Sequence, residues 1–202
     1  MAIIIGLTGG IASGKSTVSN FLREKGIPIV DADKIARMVV EPGEYALEEI
    51  VRTFGKEVLT AAGGLNRKKL GQIVFQDPNA REKLNKIVHP AVRQRMVHEK
   101  NIWLQEGNKI IVLDIPLLYE NDLFHLINKV LLVYVDKQTQ LQRLMARDGS
   151  TEKEAQQRIQ AQWPLKDKLD RADAVINNGG SLKETEKQLQ HILERWDIQT
   201  PS

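Results

Sequence analysis

The sequence GLTGGIASGKST, residues 6–17, joins an apolar run to a segment with the periodicity of a helix. Within it, Gly9, Gly14, Lys15 and Ser16 fit G-x-x-x-x-G-K-[ST], the pattern of the P-loop. Glycines let backbone N–H groups turn toward phosphate oxygens, and the N-terminus of the next helix adds positive potential. A glycine-rich turn with a surface lysine is the alternative interpretation. The strand-to-helix junction favours the P-loop, so the loop is predicted to hold nucleotide phosphates.

The P-loop pattern also predicts individual contacts. Lys15 is expected to reach the outer phosphates, and the hydroxyl of Ser16 is expected to ligate magnesium. The loop residues predicted to contact the nucleotide are Gly9, Gly10, Ala12, Ser13, Gly14, Lys15, Ser16 and Thr17.

Composition limits the class of protein. A chain of 202 residues, 42% hydrophobic and 27% charged, is expected to form one domain with an insertion or two small lobes. The absence of cysteine excludes disulfides and thiolate metal sites and fits a cytoplasmic location. A net charge of +3 and 5% aromatic residues argue against nucleic-acid binding, although the charge suits an anionic ligand. No apolar stretch is long enough to predict a membrane span.

Apolar runs that alternate with helical patterns predict a parallel α/β sheet. The predicted strands cover residues 3–7, 27–30, 110–113, 130–135 and 174–176. The first predicted helix covers residues 15–25, with Gly26 at its end.

The segment 34–107 interrupts this alternation with successive helices, which predicts an all-helical insert. Gly55 is expected to end one helix, Asn66 to cap the next, and Asp77 to cap a third that opens with proline. Pro90 is expected to interrupt that third helix and to start a fourth.

Several motifs together resemble the bacterial dephospho-coenzyme A kinase family. They are GLTGGIASGKST, VDAD followed by IAR, HPAVR, DIPLLYE, ARDGSTEKEAQQRI and ADAVINNGG. The resemblance implies the P-loop nucleoside-triphosphate hydrolase fold. It also implies ATP-dependent phosphorylation of the ribose 3′-hydroxyl of dephospho-coenzyme A, with magnesium.

This reading divides the chain into three parts. The nucleotide-binding core is predicted to comprise residues 1–33, 108–136 and 169–202. Residues 34–107 would form the helical acceptor lobe on the coenzyme A side, and residues 137–168 a lid that excludes water.

Two carboxylates, Asp31 and Asp33, follow the second predicted strand, at the edge where α/β sheets bind ligands. Along an extended chain both would share one side, with Ala32 opposite. Phosphoryl transfer to an alcohol requires one carboxylate for the hydroxyl proton and another for magnesium. The resemblance favours Asp33 as the base and leaves Asp31 as a candidate magnesium ligand. One aspartate that only caps the next helix is the alternative.

The third predicted strand ends in Asp114, as in a Walker B segment. This aspartate is expected to lie beside the P-loop and to support magnesium directly or through water. An aspartate that only starts the turn after the strand is the alternative. The next residues resemble the substrate-side loop of the family, so Leu117 and Tyr119 are candidates to pack against adenine or pantetheine. Core packing explains the leucines of this loop equally well.

His89 and Arg93 lie one helical turn apart in the motif HPAVR. A structural or solvated histidine is the common alternative. The resemblance favours a grip on the diphosphate of the acceptor, with Arg93 donating two hydrogen bonds.

The lid segment carries Arg143 and Arg147 one turn apart, and Thr151 opens a second helix with a capping box. Lid closure would bring these arginines, and less strongly Arg158, to the transferred phosphoryl group. A solvated charged face is the alternative.

Near the end of the chain, Asn177 has the amide donor and acceptor that an adenine edge requires. A turn that uses asparagine for its geometry is the alternative. Ser181 opens a capping box and a terminal helix.

Two other functions remain open at this point. The first is another P-loop kinase that phosphorylates nucleosides or nucleotides. The second is a nucleotide-dependent switch that binds a protein partner through the helical insert. The sequence gives no indication of the oligomeric state.

Overall fold

The computed structural model describes residues 2–198. By compactness the chain divides into two units, one made of Met1–Val30 and Lys100–Ser202, the other of Asp31–Glu99. The strands and the helices that flank them belong to the first unit, and four helices fill most of the second.

A five-stranded sheet in the order β2-β3-β1-β4-β5 organises the first unit within the described residues. Its strands are β1 (Ile3–Gly9), β2 (Ile29–Asp31), β3 (Ile110–Asp114), β4 (Lys129–Tyr134) and β5 (Ala174–Asn177). The pairs β1–β3, β1–β4 and β4–β5 are parallel. The predicted parallel α/β sheet is confirmed, and its carboxyl ends share one edge.

The strands are apolar because helices cover the sheet. From the middle of the sheet, Ile5 and Leu7 are fully buried with Val18 of helix α1 (Lys15–Glu24) and Leu189 of helix α9 (Leu182–Arg195). Burial of one such side chain contributes about 1.5–3 kcal/mol, so this layer fixes the position of α1 behind the central strand.

Three further helices lie between β4 and β5. They are α6 (Lys137–Asp148), α7 (Glu152–Gln160) and α8 (Leu165–Leu169). Asp136 caps α6, and Gly149 ends it in the left-handed conformation at φ 62°. The predicted capping boxes are both present, at Thr151 before α7 and at Ser181 before α9.

The second unit contains α2 (Ala32–Met38), α3 (Tyr45–Phe54), α4 (Arg67–Gln76) and most of α5 (Pro78–Gln105). The predicted helix signals are confirmed at three places. Gly55 ends α3 at φ 84°, the side chain of Asn66 accepts from Lys69 N at 3.0 Å, and that of Asp77 accepts from Asn79 N at 2.8 Å.

The prediction that Pro90 ends one helix and starts another is wrong, because α5 runs through it for 28 residues. Proline removes one i→i−4 hydrogen bond, at a cost of about 3 kcal/mol. Packing on both sides offsets this, since Ala80 and Met96 are buried before and after it.

Within residues 2–198, no helix is both long and apolar enough to cross a membrane.

Candidate functional site

The loop that leaves β1 presents the N-terminus of α1 at the carboxyl edge of the sheet. Gly14 is the N-cap at φ 82°, and no side chain caps the helix there. The first turn of α1 holds no acidic residue. The first N–H groups of a helix have no partner within it, so those of Lys15 and Ser16 remain for an anion.

The glycines of the loop lie where other atoms approach closely. A methyl group on Gly14 would lie 2.0 Å from the Nδ2 atom of Asn178, and one on Gly9 would lie 2.5 Å from Ser13 Oγ. A methyl group on Gly10 would lie 2.8 Å from Gln140 Nε2. The P-loop pattern therefore reflects packing as well as backbone freedom.

Lys15, at the start of α1, and Asp114, at the end of β3, form an ion pair. Lys15 Nζ donates to Asp114 Oδ1, and the two side chains are 18% and 5% exposed. The parallel register that sets Leu7 opposite Asp114 brings this carboxylate to the P-loop, as the Walker B interpretation expects. The pair concentrates one cation and one carboxylate at the edge where the loop opens.

Of the arginines predicted to lie in a lid, Arg143 approaches the P-loop. Its Nη1 atom is 3.7 Å from the position that a Cβ atom on Gly14 would take. Arg147 instead donates to Asp148 from Nε at 2.8 Å and from Nη2 at 3.1 Å, and Arg158 pairs with the same carboxylate. This hydrogen bonding raises the pKa of Arg147 and lowers that of Asp148. The three residues join α6 to α7.

The loop after β3 divides into exposed and buried side chains. Leu117 is 39% exposed, whereas Leu118 and Tyr119 are buried. The hydroxyl of Tyr119 donates to the carbonyl of Lys168 at 3.0 Å, and burial raises its pKa to about 12. Tyr119 therefore has a packing role in this structure, and Leu117 is the residue of the pair with a surface to offer a ligand.

A buried ion pair anchors the same loop. Lys168 Nζ is 2.7 Å from Glu120 Oε1, and the side chain of Lys168 is fully buried. The N–H of Trp163 donates to the same oxygen at 3.0 Å. Glu120 thus holds residues 163–168 against the loop that follows β3.

In the second unit, the expectation that Asp31 and Asp33 share one side of an extended chain is wrong. Asp31 is the N-cap of α2, and its Oδ1 accepts from Lys34 N at 2.9 Å. Asp33 lies in the first turn of that helix and is exposed. The cap starts the helix directly after β2, which takes Asp33 out of the extended conformation.

His89 and Arg93 both lie within α5, one turn apart, instead of flanking a helix start. Burial and, to a lesser extent, the charge of Arg93 lower the pKa of His89. Arg93 is exposed. The two side chains therefore present a neutral imidazole and a cation at the helix spacing the sequence indicates.

The comparisons with known proteins identify the family. A family model described as dephospho-CoA kinase matches residues 3–184. The chain belongs to the dephospho-CoA kinase family. It is similar to the dephospho-CoA kinase of Geobacillus kaustophilus, with 57% identity over 98% of each chain.

Solved structures agree with this family. The dephospho-CoA kinase of Campylobacter jejuni is 28% identical with a TM-score of 0.75, covering 97% of this chain and 98% of its own. A crystal structure from Thermus thermophilus is 36% identical with a TM-score of 0.80, covering 96% and 97%. The predicted P-loop kinase fold and kinase activity with ATP are confirmed, and the comparisons do not favour a nucleoside kinase or a switch.

The donor set of the site fits magnesium. Within the described residues, no three His, Asp, Glu or Cys side chains gather as a metal cluster. Magnesium in kinases needs only one or two protein oxygens and takes the others from phosphates and water. The Ser16 hydroxyl, exposed at the start of α1, and the Asp114 carboxylate offer such oxygens beside Lys15.

Sequence reasoning missed the residue that braces the P-loop of this kinase from β5. Asn178 Nδ2 donates to the carbonyl of Ser13 at 2.9 Å, and Asn178 Oδ1 accepts from Thr185 Oγ1 at 2.8 Å. The neighbouring Asn177 is exposed, and its Oδ1 accepts from Gly179 N at 2.9 Å, as in a turn. Strand alternation was the available signal, because Ala174, Ile176 and Asn178 are all buried.

Proposed function

We propose that this chain transfers the γ-phosphoryl group of ATP to the ribose 3′-hydroxyl of dephospho-CoA, with the residue roles given below. The observation that carries the proposal is the Lys15–Asp114 pair at the open N-terminus of α1 in a member of this kinase family. The reaction forms a bond between the 3′-oxygen and the γ-phosphorus, and breaks the bond to the oxygen that bridges the β and γ phosphates.

The P-loop binds the donor. The N–H groups at the start of α1 and the Lys15 ammonium hold the β and γ phosphates, with Gly9, Gly10 and Gly14 keeping the backbone close. Asn178 and the loop carbonyl it holds keep Gly14 in its left-handed conformation. These groups fix the phosphates before reaction, so they lower the entropy lost on reaching the transition state.

Ser16 and Asp114 are the proposed magnesium ligands. Bound there, magnesium would neutralise charge on the β and γ phosphates. Asp31 is the weaker candidate, because its Oδ1 already accepts a hydrogen bond from Lys34 N.

Asp33 is the proposed base. As the 3′-oxygen attacks, its proton passes to the Asp33 carboxylate, which is exposed in the first turn of α2. The first turn of a helix favours a negatively charged side chain, which suits a carboxylate in this role.

The remaining acceptor contacts are assigned to His89, Arg93 and Leu117. Arg93 is exposed and always charged, so it suits the diphosphate of dephospho-CoA, with the neutral His89 one turn away as a further hydrogen-bond partner. Leu117 offers an apolar surface. Tyr119 would act by holding this loop in place through its bond to Lys168.

In the lid, Arg143 is assigned to the transition state because it is already directed to the P-loop. Arg147 would contribute through α6 or by leaving Asp148 on closure. Asn177 is assigned to the adenine. The acceptor lobe and lid boundaries, at 34–107 and 137–168, and a cytoplasmic location belong to the same proposal.

A turnover assay with ATP, magnesium and dephospho-CoA tests the proposal. Lys15→Ala and Asp33→Asn should each lose most activity. Asp33→Asn should still bind ATP in calorimetry, because it leaves Lys15 and the amides of the P-loop unchanged. Asp167→Asn, an exposed aspartate in the first turn of α8, is the matched control. Phosphorylation of a nucleoside but not of dephospho-CoA by the wild type would overturn the substrate assignment, and full activity of Asp33→Asn would overturn the base.

A further inference from the structure

Both backbone polar groups of Ile11, in the P-loop, are held by glutamine side chains. Gln140 Nε2 donates to the Ile11 carbonyl at 2.9 Å. The N–H of Ile11 donates to Gln162 Oε1 at 2.8 Å. One side-chain amide supplies an acceptor and the other a donor. The peptide groups before and after Ile11 are therefore both fixed in orientation.

This orientation matters for the residue that follows. Ala12 has φ 59°, in the left-handed region that residues other than glycine rarely adopt. Gln140 is 5% exposed and lies against Gly10, so it has little freedom to move. The two glutamines, which we call the Ile11 clamp, thus hold the first half of the P-loop, whereas Asn178 holds the second half at Ser13.

The clamp also joins the P-loop to both ends of the lid segment. Gln140 lies in the first turns of α6, and Gln162 follows the end of α7. Arg143 lies on α6 less than one turn after Gln140, and Arg158 and Asp148 tie α7 to α6. A shift of either lid helix would therefore pull on Ile11 through a side chain that is bonded to it.

We propose that Gln140 and Gln162 are positioning residues that keep Arg143 in register with the P-loop. This inference rests on the proposed role of Arg143. The phosphates bind mainly to Lys15 and the start of α1, which Asn178 holds independently. Loss of the clamp should therefore disturb the transition state more than ATP binding.

The experiment compares Gln162→Met and Gln140→Met with Gln157→Met and Gln142→Met. The control glutamines are exposed on α7 and α6. For the clamp variants, kcat with dephospho-CoA should fall by about tenfold to a hundredfold, since small displacements of a reacting group have effects of this size. The Kd of ATP, measured by calorimetry, should change by no more than about threefold. The control variants should match the wild type.

Conservative variants separate positioning from stability. Gln162→Glu keeps an acceptor for the Ile11 N–H and should retain more activity than Gln162→Met. Gln140→Glu sets a carboxylate against the Ile11 carbonyl and should be no better than Gln140→Met. Calorimetric binding stoichiometry gives the folded fraction of each variant, so kcat is expressed per folded molecule.

The double variant Gln162→Met/Arg143→Ala tests the coupling. If the clamp acts through Arg143, the Gln162 change should lower kcat much less in the Arg143→Ala background than in the wild type. Equal effects in both backgrounds, or equal activity of Gln162→Glu and Gln162→Met, would overturn the inference. Should the wild type prefer another acceptor, the substrate assignment fails, and the same variants assayed with that acceptor still decide the role of the clamp.

Discussion

Gly14→Ala is the perturbation for which the structure gives the most specific expectation. Gly14 has φ 82°, and an added methyl group would lie 2.0 Å from Asn178 Nδ2. Gly107 has φ 86° and nothing within 4 Å of the same methyl position. Gly107→Ala is therefore a control with a similar positive φ and no steric conflict.

The expected magnitude follows from the difference between the two sites. Alanine at such a positive φ costs about 1–2 kcal/mol, and both variants carry a cost of this kind. At Gly14 the methyl group also causes overpacking, at about 1–3 kcal/mol, and displaces the Asn178 amide from the Ser13 carbonyl, at about 1 kcal/mol. Gly14→Ala should therefore lower the free energy of unfolding by about 2–4 kcal/mol more than Gly107→Ala.

Urea unfolding at equilibrium measures this difference, and calorimetry measures the Kd of ATP. Gly14→Ala should weaken ATP binding, because the loop amides move with Gly14, whereas Gly107→Ala should not. In an Asn178→Ala background the steric conflict is gone, so Gly14→Ala should cost only the backbone term of about 1–2 kcal/mol. Equal destabilisation by Gly14→Ala and Gly107→Ala, or additive effects with Asn178→Ala, would refute the reasoning.

Three further predictions follow from single contacts. Arg143→Ala should lower kcat far more than Arg147→Ala in the dephospho-CoA assay, because Arg143 lies at the P-loop and Arg147 is paired with a neighbouring carboxylate; equal losses would contradict the assignment. Burial lowers the pKa of His89 from its ordinary 6.5, so the folded state binds the proton less readily than the unfolded state. The free energy of unfolding should therefore fall as the pH drops below about 6.5. Urea titrations of His89→Gln should show a smaller fall. Lys168→Met should cost about 3–5 kcal/mol in urea unfolding, because it leaves the Glu120 carboxylate partly buried without its ion pair. The double change Lys168→Met/Glu120→Gln should recover part of this loss, and no recovery would show that the packing of Lys168, not its charge, is what matters.

The features that sequence predicts here are local ones. A capping box needs only residues three apart, so the starts of α7 and α9 follow from Thr151 and Ser181. The P-loop is also local, since its glycines, lysine and serine lie within eight consecutive residues, 9–16. The position of Asp114 beside the P-loop is not local, but it could be predicted because parallel strands end at a shared edge.

The features that sequence does not predict depend on distant packing. Gln140 and Gln162 contact Ile11 across separations of 129 and 151 residues, and glutamine on a helix surface or in a turn is ordinarily solvated. Pro90 stays inside α5 because buried residues on either side outweigh its lost hydrogen bond, a balance that a local rule omits. Asp31 and Asp33 were assigned an extended geometry, although the capping power of the first aspartate ended the strand there.

The residues that begin each helix explain why the ATP-binding side of this enzyme could be predicted from its sequence. Side-chain oxygens accept first-turn N–H groups at Asp31, Asn66, Asp77, Asp136, Thr151 and Ser181, which begin α2, α4, α5, α6, α7 and α9. The helices α3 and α8 lack such a cap but carry an acidic residue in the first turn. Among the α-helices of residues 2–198, α1 alone begins with neither, because its N-cap is a glycine. Capping a helix and binding an anion use the same N–H groups and the same positive potential. Since no side chain in the described part of the protein accepts from the first N–H groups of α1, the acceptor oxygen must come from the ligand. A phosphate supplies this oxygen. The glycine that leaves α1 without a side-chain cap therefore also indicates that the loop binds a nucleotide.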